Sequence, residues 1–226
     1  MRTLKFERDS SEPTLVSGRV SFYAVLCAWA ASVAGGVVWM MGYSFAPGRP
    51  ATPPAEWPSS IARDVERPTL IVVAHPRCSC TRATLSELRR LLETSPPLSA
   101  LVLFTRPEGA PENWERSSLW TLAEAIPGAV VLSDPGGALS SRFGAHTSGS
   151  ALLYSRDGRL LFHGGLTSSR GHHGESPGHV RIAALLRGQQ PERSTSDVFG
   201  CSLSDDDRAE FVAAGLRLGR KLGSER

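Results

Sequence analysis

Leu70-Ile71-Val72-Val73-Ala74-His75-Pro76-Arg77-Cys78-Ser79-Cys80 is the stretch on which the fold turns. Leu70 to Ala74 is an apolar, largely β-branched run of strand length, and it has the pattern of a buried strand. Just beyond it Thr81, Ala83, Leu85, Leu88, Leu91 and Leu92 recur at helical spacing. Two cysteines separated by one residue therefore fall where a strand hands over to a helix N-terminus. Free backbone N–H groups and the helix dipole favour negative charge at that point. A thiolate is stabilised there, and a lowered thiol pKa makes a cysteine reactive toward disulfides and able to hold a metal. The plainer reading is a pair of small buried residues at a strand end.

Around this junction, 226 residues with 41% hydrophobic content and a net charge of +3 describe one ordinary globular domain with additions. The charge is too small and too scattered for a nucleic-acid partner. Four cysteines, Cys27, Cys78, Cys80 and Cys201, are too few for a disulfide-stapled scaffold. From Val20 to Tyr43 no residue is charged, and the segment is long enough to cross a bilayer. Trp39 and Tyr43 suit an interfacial belt. Arg2, Lys5, Arg8 and Arg19 precede it and Arg49 alone follows soon after, a bias that predicts a cytoplasmic N-terminus. The competing reading is a cleaved signal peptide ending near Ser44-Phe45-Ala46. The apolar stretch and its charged leader are both long for that, so an uncleaved anchor is expected. Cys27 lies inside the span without a small residue just before it, and is read as membrane packing. The predicted layout is a cytoplasmic tail over 1–19, a transmembrane helix over 20–43, a Pro-rich spacer over 44–68, a folded domain over 69–188 and an extension with a helix over 189–226. The expected location is the bacterial inner membrane, single-pass, with the domain in the periplasm, where disulfides persist.

Within the domain, Ala100 to Phe104 is a second buried strand. Pro111 opens a helix through about Ala125, with Trp114 and Trp120 packing. Ala129 to Leu132 is a short third strand, followed by a turn and short helix from Asp134 to Gly144. Ala151 to Tyr154 and Leu160 to His163 flank Arg156-Asp157-Gly158-Arg159, a hairpin signal. Ser176-Pro177 starts a helix that runs to Gly188. A last helix is expected from Ser204.

The order β, α, β, α, β, hairpin, α, with cysteines after the first strand, resembles the thioredoxin fold over roughly residues 69 to 188. It implies an α/β protein with a central mixed sheet flanked by helices. His75 to Ala83, together with Gly164-Gly165-Leu166-Thr167 and Ser169-Arg170-Gly171-His172, resembles the RedB-type branch of thioredoxin-like proteins. Two departures stand out. The spacing is Cys-x-Cys, with Thr81 where thioredoxins place a second cysteine. Thr147-Ser148-Gly149-Ser150 replaces the loop that carries a cis-proline, with Ser150 nearest that position. The resemblance makes Ser148, Gly149 and Ser150 the substrate-facing loop.

The resemblance and the helix start make Cys78 the nucleophile and Cys80 its resolving thiol. Residues i and i+2 of a helix point to different faces, so a Cys78–Cys80 bridge closes a small, strained ring. Strain raises the potential of a disulfide and suits an oxidant or isomerase-like centre. Cys201 is a second candidate resolving thiol, a third metal ligand, or a small buried residue. The loop Gly171-His172-His173-Gly174-Glu175 is expected beside the cysteines from the topology. Cys78, Cys80, His172 and His173 are then a soft ligand set for Cu(I) or Zn(II). Arg77, Arg82 and Arg170 are candidate sources of positive potential, and His163 is read as structural.

Three functional readings follow. The first is a membrane-anchored extracytoplasmic thiol–disulfide oxidoreductase acting on a protein thiol, with no cofactor required. The second is a Cu(I)- or Zn(II)-binding, metallochaperone-like protein. The third is a membrane protein with an inert copy of the fold.

Overall fold

The structure, a computed structural model, describes residues 15–203. The chain divides into two units between Ser44 and Phe45. The helix expected from Ser204 lies outside the described residues.

The first unit is helix α1, Leu15–Phe45. Ser21–Phe45 within it spans 25 residues at a mean hydropathy of 1.8. At 1.5 Å per residue this covers about 37 Å, more than the roughly 30 Å of a hydrocarbon core. Its apolar side chains are exposed all round, Val25, Val38 and Trp39 among them. A helix apolar on every side and buried nowhere suits lipid. The apolar stretch Ser21–Phe45 lies within about two residues of the expected 20–43, while the helix itself begins five residues before that expected start, at Leu15.

The second unit is an α/β sandwich. In chain order its elements are β1 (Thr69–Ala74), α2 (Ser79–Thr94), β2 (Ser99–Arg106), α3 (Ser118–Glu124), β3 (Ala129–Pro135), α4 (Ala138–Arg142), β4 (Ser150–Tyr154), β5 (Leu160–Gly165) and α5 (Pro177–Leu186). The five strands form one sheet in the order β3-β2-β1-β4-β5. β1, β2 and β3 are mutually parallel, while β4 runs antiparallel to β1 and to β5. β1 sits at the centre with every residue buried, which explains its unbroken apolar run.

Because successive strand residues face opposite sides, β1 feeds two cores. Leu70, Val72 and Ala74 pack with Leu85, Leu88 and Leu91 of α2 and Ile182 of α5. Ile71 and Val73 pack with Leu152, Tyr154, Phe143, Ala51 and Trp57. The Pro-rich segment expected to be an extended spacer therefore belongs to the folded unit. Trp57 meets Phe143 and Tyr154 edge to face at 5.0 and 5.2 Å. Its indole donates to the Ile61 carbonyl at 2.7 Å. Among the described residues the one helix on the second face of the sheet is the short α4, and this segment supplies further cover.

The helix expected from Pro111 begins instead at Ser118. Asn113 takes a left-handed φ of 62°, and the Ser117 hydroxyl accepts from the Leu119 amide at 3.2 Å as an N-cap. Ser176 caps α5 with Pro177 next, as expected, accepting from the His179 amide at 3.2 Å.

Candidate active site

Cys78 is the N-cap residue of α2, in extended conformation at φ −91° and ψ 121°. Pro76 just before it ends β1's course, and the Cys78 amide returns to the His75 carbonyl at 3.2 Å. The turn is clamped from the loop before β4. The His75 amide donates to the Ser148 hydroxyl at 2.9 Å. The Thr81 hydroxyl donates to the His75 carbonyl and lies 3.1 Å from the Ser148 hydroxyl. Thr81 thus ties the cysteine turn to the Thr147–Ser150 loop.

Cys78 is 1% exposed and Cys80 is also buried. Cys201 lies beside them, half-buried. All three thiols are free. The neighbouring thiols of Cys201 and then Cys80 are the main influences that favour the thiolate form of Cys78. Amide groups of Cys201 and Cys80 add to this, although the Cys78 side chain makes no conventional capping bond. These groups hold the Cys78 thiol well below the usual thiol range, against the opposing effect of its burial. The two neighbouring thiols move the other way. Their hydrogen bonds to Cys78, then burial, then its negative charge raise the thiols of Cys80 and Cys201. Within this cluster of three thiols the thiolate form is favoured at Cys78 and disfavoured at Cys80 and Cys201.

Cys201 arrives on an irregular segment that crosses the sheet edge. The His163 amide donates to the Ser194 carbonyl at 3.1 Å, and Thr195 bridges His163 in parallel. The Gly165 amide donates to the Asp197 carbonyl at 3.2 Å, and the Gly48 amide to the Val198 carbonyl at 2.8 Å. The Ser148 amide donates to the Cys201 carbonyl at 2.8 Å. Val198 and Phe199 are buried at 2% and 7% exposure.

The His-rich loop reaches the site through other atoms than its imidazoles. The Gly171 amide and the Arg170 charge both favour the Cys80 thiolate form. Arg170 Nη1 donates to the Gly200 carbonyl at 2.6 Å. His172 and His173 are exposed. Among the described residues no group of three or more His, Cys, Asp or Glu is arranged to hold a metal ion. Of the other arginines, Arg77 lies over the Trp114 ring at 4.4 Å and Arg82 is exposed. His163 is partly buried in β5, and burial lowers its pKa.

Glu87 was not singled out from the sequence. It is 3% exposed on the inner side of α2. Its carboxylate accepts from Arg90 at 2.8 and 3.2 Å and from the Gly174 amide at 2.9 Å, and His179 Nδ1 lies 3.4 Å away. The signal was available: Glu87 falls on the same helical face as Thr84, Leu88 and Leu91.

No family model matches the sequence, and no curated protein does. Solved structures do match. An uncharacterized conserved protein from Geobacillus kaustophilus is 22% identical, with a TM-score of 0.50 over 71% of this chain and 92% of its own. A hypothetical protein from Sinorhizobium meliloti is 17% identical, with a TM-score of 0.49 over 71% of this chain and 94% of its own. A secreted disulfide oxidoreductase of Mycobacterium tuberculosis is 13% identical, with a TM-score of 0.37 over 54% of this chain and 81% of its own. The order β3-β2-β1-β4-β5, the antiparallel β4–β5 hairpin and the cysteine turn after β1 decide the architecture. The chain has a thioredoxin-like fold.

In this thioredoxin-like domain the loop before β4 meets the cysteine turn through Ser148. Gly149 is held below it, its amide on the Val73 carbonyl at 2.7 Å and its φ at +91°. Ser150 is fully buried, its hydroxyl on the Thr147 carbonyl at 2.7 Å. Among the described residues there is no cis peptide bond. Ser148 therefore presents both the hydroxyl that holds His75 and the amide that holds Cys201.

Proposed function

We propose that the protein is a membrane-anchored, extracytoplasmic thiol–disulfide oxidoreductase of the RedB-type branch, with Cys78 as nucleophile and Cys201 as its disulfide partner. One observation carries this: a buried Cys78 at a helix N-cap with the free thiols of Cys80 and Cys201 beside it, which favour its thiolate form. Cys201 replaces Cys80 as the preferred partner because it comes from a separate segment. A Cys78–Cys201 bond is free of the short ring that Cys78 and Cys80 would close.

A stabilised thiolate makes the reduced form stable and the disulfide oxidising. The forward reaction is then oxidation of a protein dithiol. A substrate thiolate attacks the Cys78 sulfur of the Cys78–Cys201 disulfide, forming a mixed disulfide and releasing Cys201, which takes up a proton. A second substrate thiolate attacks the substrate sulfur of that mixed disulfide and expels Cys78 as thiolate. The substrate loses two electrons to the pair. An external disulfide restores the pair by the reverse exchange. Low leaving-group pKa at Cys78 speeds the last step.

The test is redox titration of the full chain in detergent, with glutathione buffers and peptide mapping. The expected result is a reversible Cys78–Cys201 disulfide with a potential at or above about −210 mV, the lower edge of an oxidising secretory compartment. A Cys78→Ser variant that keeps full exchange activity overturns the proposal. So do thiols that resist oxidation yet become protected by Cu(I) or Zn(II), a result that selects the metal-binding alternative through Cys78 and Cys80.

A further inference from the structure

The segment carrying Cys201 lies in a groove built to take extended backbone. Its floor is the Thr147–Gly149 loop and the edge of β5. Ser202 bridges Thr147 in antiparallel fashion, while Thr195 bridges His163 in parallel. Between these points the backbone bonds run from Gly165 to Asp197, Gly48 to Val198 and Ser148 to Cys201. The bonds are main-chain to main-chain, so they accept any sequence that fits sterically. The fit is narrow at two places. A Cβ on Gly200 would stand 1.9 Å from the Ser148 carbonyl oxygen, and one on Gly165 would stand 2.7 Å from the Asp197 carbonyl oxygen. Neither glycine has a positive φ, so only the close approach excludes a side chain there.

Position along the groove decides chemistry. Cys201 is seated where its thiol meets Cys78, and with it in place Cys78 is 1% exposed. A protein joined to Cys78 by a mixed disulfide, formed as Cys201 leaves, has the vacated groove open to its backbone. Its backbone then competes for the Ser148 amide.

We infer that Thr195–Ser202 is a tethered occupant of the substrate groove, and that the partner which displaces it is an extended polypeptide carrying a Gly-Cys step. The inference rests on the oxidoreductase reading and adds the class of substrate and the means of excluding others. Glycine before the substrate cysteine is the specificity element, because any larger residue meets the Ser148 carbonyl. Return of the strap after the substrate has left reseats Cys201 beside Cys78.

The test uses the reduced full chain in detergent and reads the strap without reading turnover. Cys78 is modified by N-ethylmaleimide and, separately, by a bulky biotin–polyethylene-glycol maleimide, with sites assigned by fragment-ion mass spectrometry. The ratio of the two rates cancels any change in thiolate fraction. Gly200→Ala alters the strap and Gly165→Ala alters the floor, so a folding defect in one leaves the other decisive. The expected result is a rise of about tenfold or more in the bulky-to-small ratio in both variants, as the open population grows. An unchanged ratio in both overturns the strap inference and leaves the redox proposal standing. A Cys78 whose N-ethylmaleimide reactivity titrates like an ordinary thiol overturns the redox proposal, while the ratio still reads the strap.

Discussion

The Ser148 amide donates to the Cys201 carbonyl at 2.8 Å, while the Ser148 hydroxyl accepts from the His75 amide at 2.9 Å. One residue thus fixes both sides of the thiol site. It holds the turn that presents Cys78 and the segment that presents Cys201. This is why two cysteines so far apart in the chain meet in a defined geometry.

Cys201→Ala removes the neighbour that most favours the thiolate form of Cys78. A hydrogen bond to a charged group contributes about 1.5–3 kcal/mol, which corresponds to about 1–2 pH units. The midpoint of Cys78 alkylation against pH is expected to move upward by that amount. A pH–rate profile with N-ethylmaleimide, assigned by mass spectrometry, checks it. An unmoved midpoint shows that Cys80 and the helix N-terminus suffice.

Stability of the reduced protein should rise with pH below the ordinary thiol range because of Cys78. Its folded pKa is depressed, so the unfolded state holds the proton that the folded state has lost. The contribution is complete above the unfolded pKa and disappears as pH falls toward the folded one. The wild-type advantage over Cys78→Ala is expected to grow as pH rises toward the ordinary thiol range, by at most about 1.4 kcal/mol per pH unit. Above the unfolded pKa the sign reverses for Cys80 and Cys201, whose folded pKa values are raised. Denaturant unfolding followed by tryptophan fluorescence under a phosphine reductant measures the slope. A pH-independent difference contradicts a buried thiolate.

Glu87→Ala leaves the Gly174 amide and the Arg90 guanidinium without their carboxylate. The cost of an unsatisfied buried donor is about 1–3 kcal/mol. A loss of that size is expected in unfolding free energy, with faster hydrogen exchange over residues 171–175. Unchanged exchange there shows that the loop is held by Ser176 and α5 alone.

The α1 segment Ser21–Phe45 should keep the whole chain in the membrane pellet through an alkaline carbonate wash, while a chain beginning at Phe45 goes to the supernatant. Fractionation with immunoblotting reads both. A full-length chain released by the wash rules out a spanning anchor.

Much of the architecture was legible because it is local. The apolar run of β1, the helical spacing after Thr81, the Asp157-Gly158 turn and the Ser176-Pro177 start each reflect contacts within a few residues. The N-cap position of Cys78 follows from the same short-range pattern. The helix expected from Pro111 was misplaced because the left-handed Asn113 and the Ser117 cap outweighed the helix-start signal of a proline.

The sequence by itself determined a long apolar N-terminal helix, a βαβ start with cysteines at its junction, and a closing hairpin and helix. Tertiary structure alone decided that Cys201 lies beside Cys78, that Gly171 and Arg170 face the thiols while His172 and His173 are exposed, and that the Pro-rich segment covers the second face of the sheet. The physical reason is the range of the forces involved. Periodicity and caps act over one or two helical turns and mark the chain directly. Pairing of Ser148 with Cys201, or of Trp57 with Phe143, depends on which faces remain uncovered once the sheet has formed, and no spacing along the chain records that.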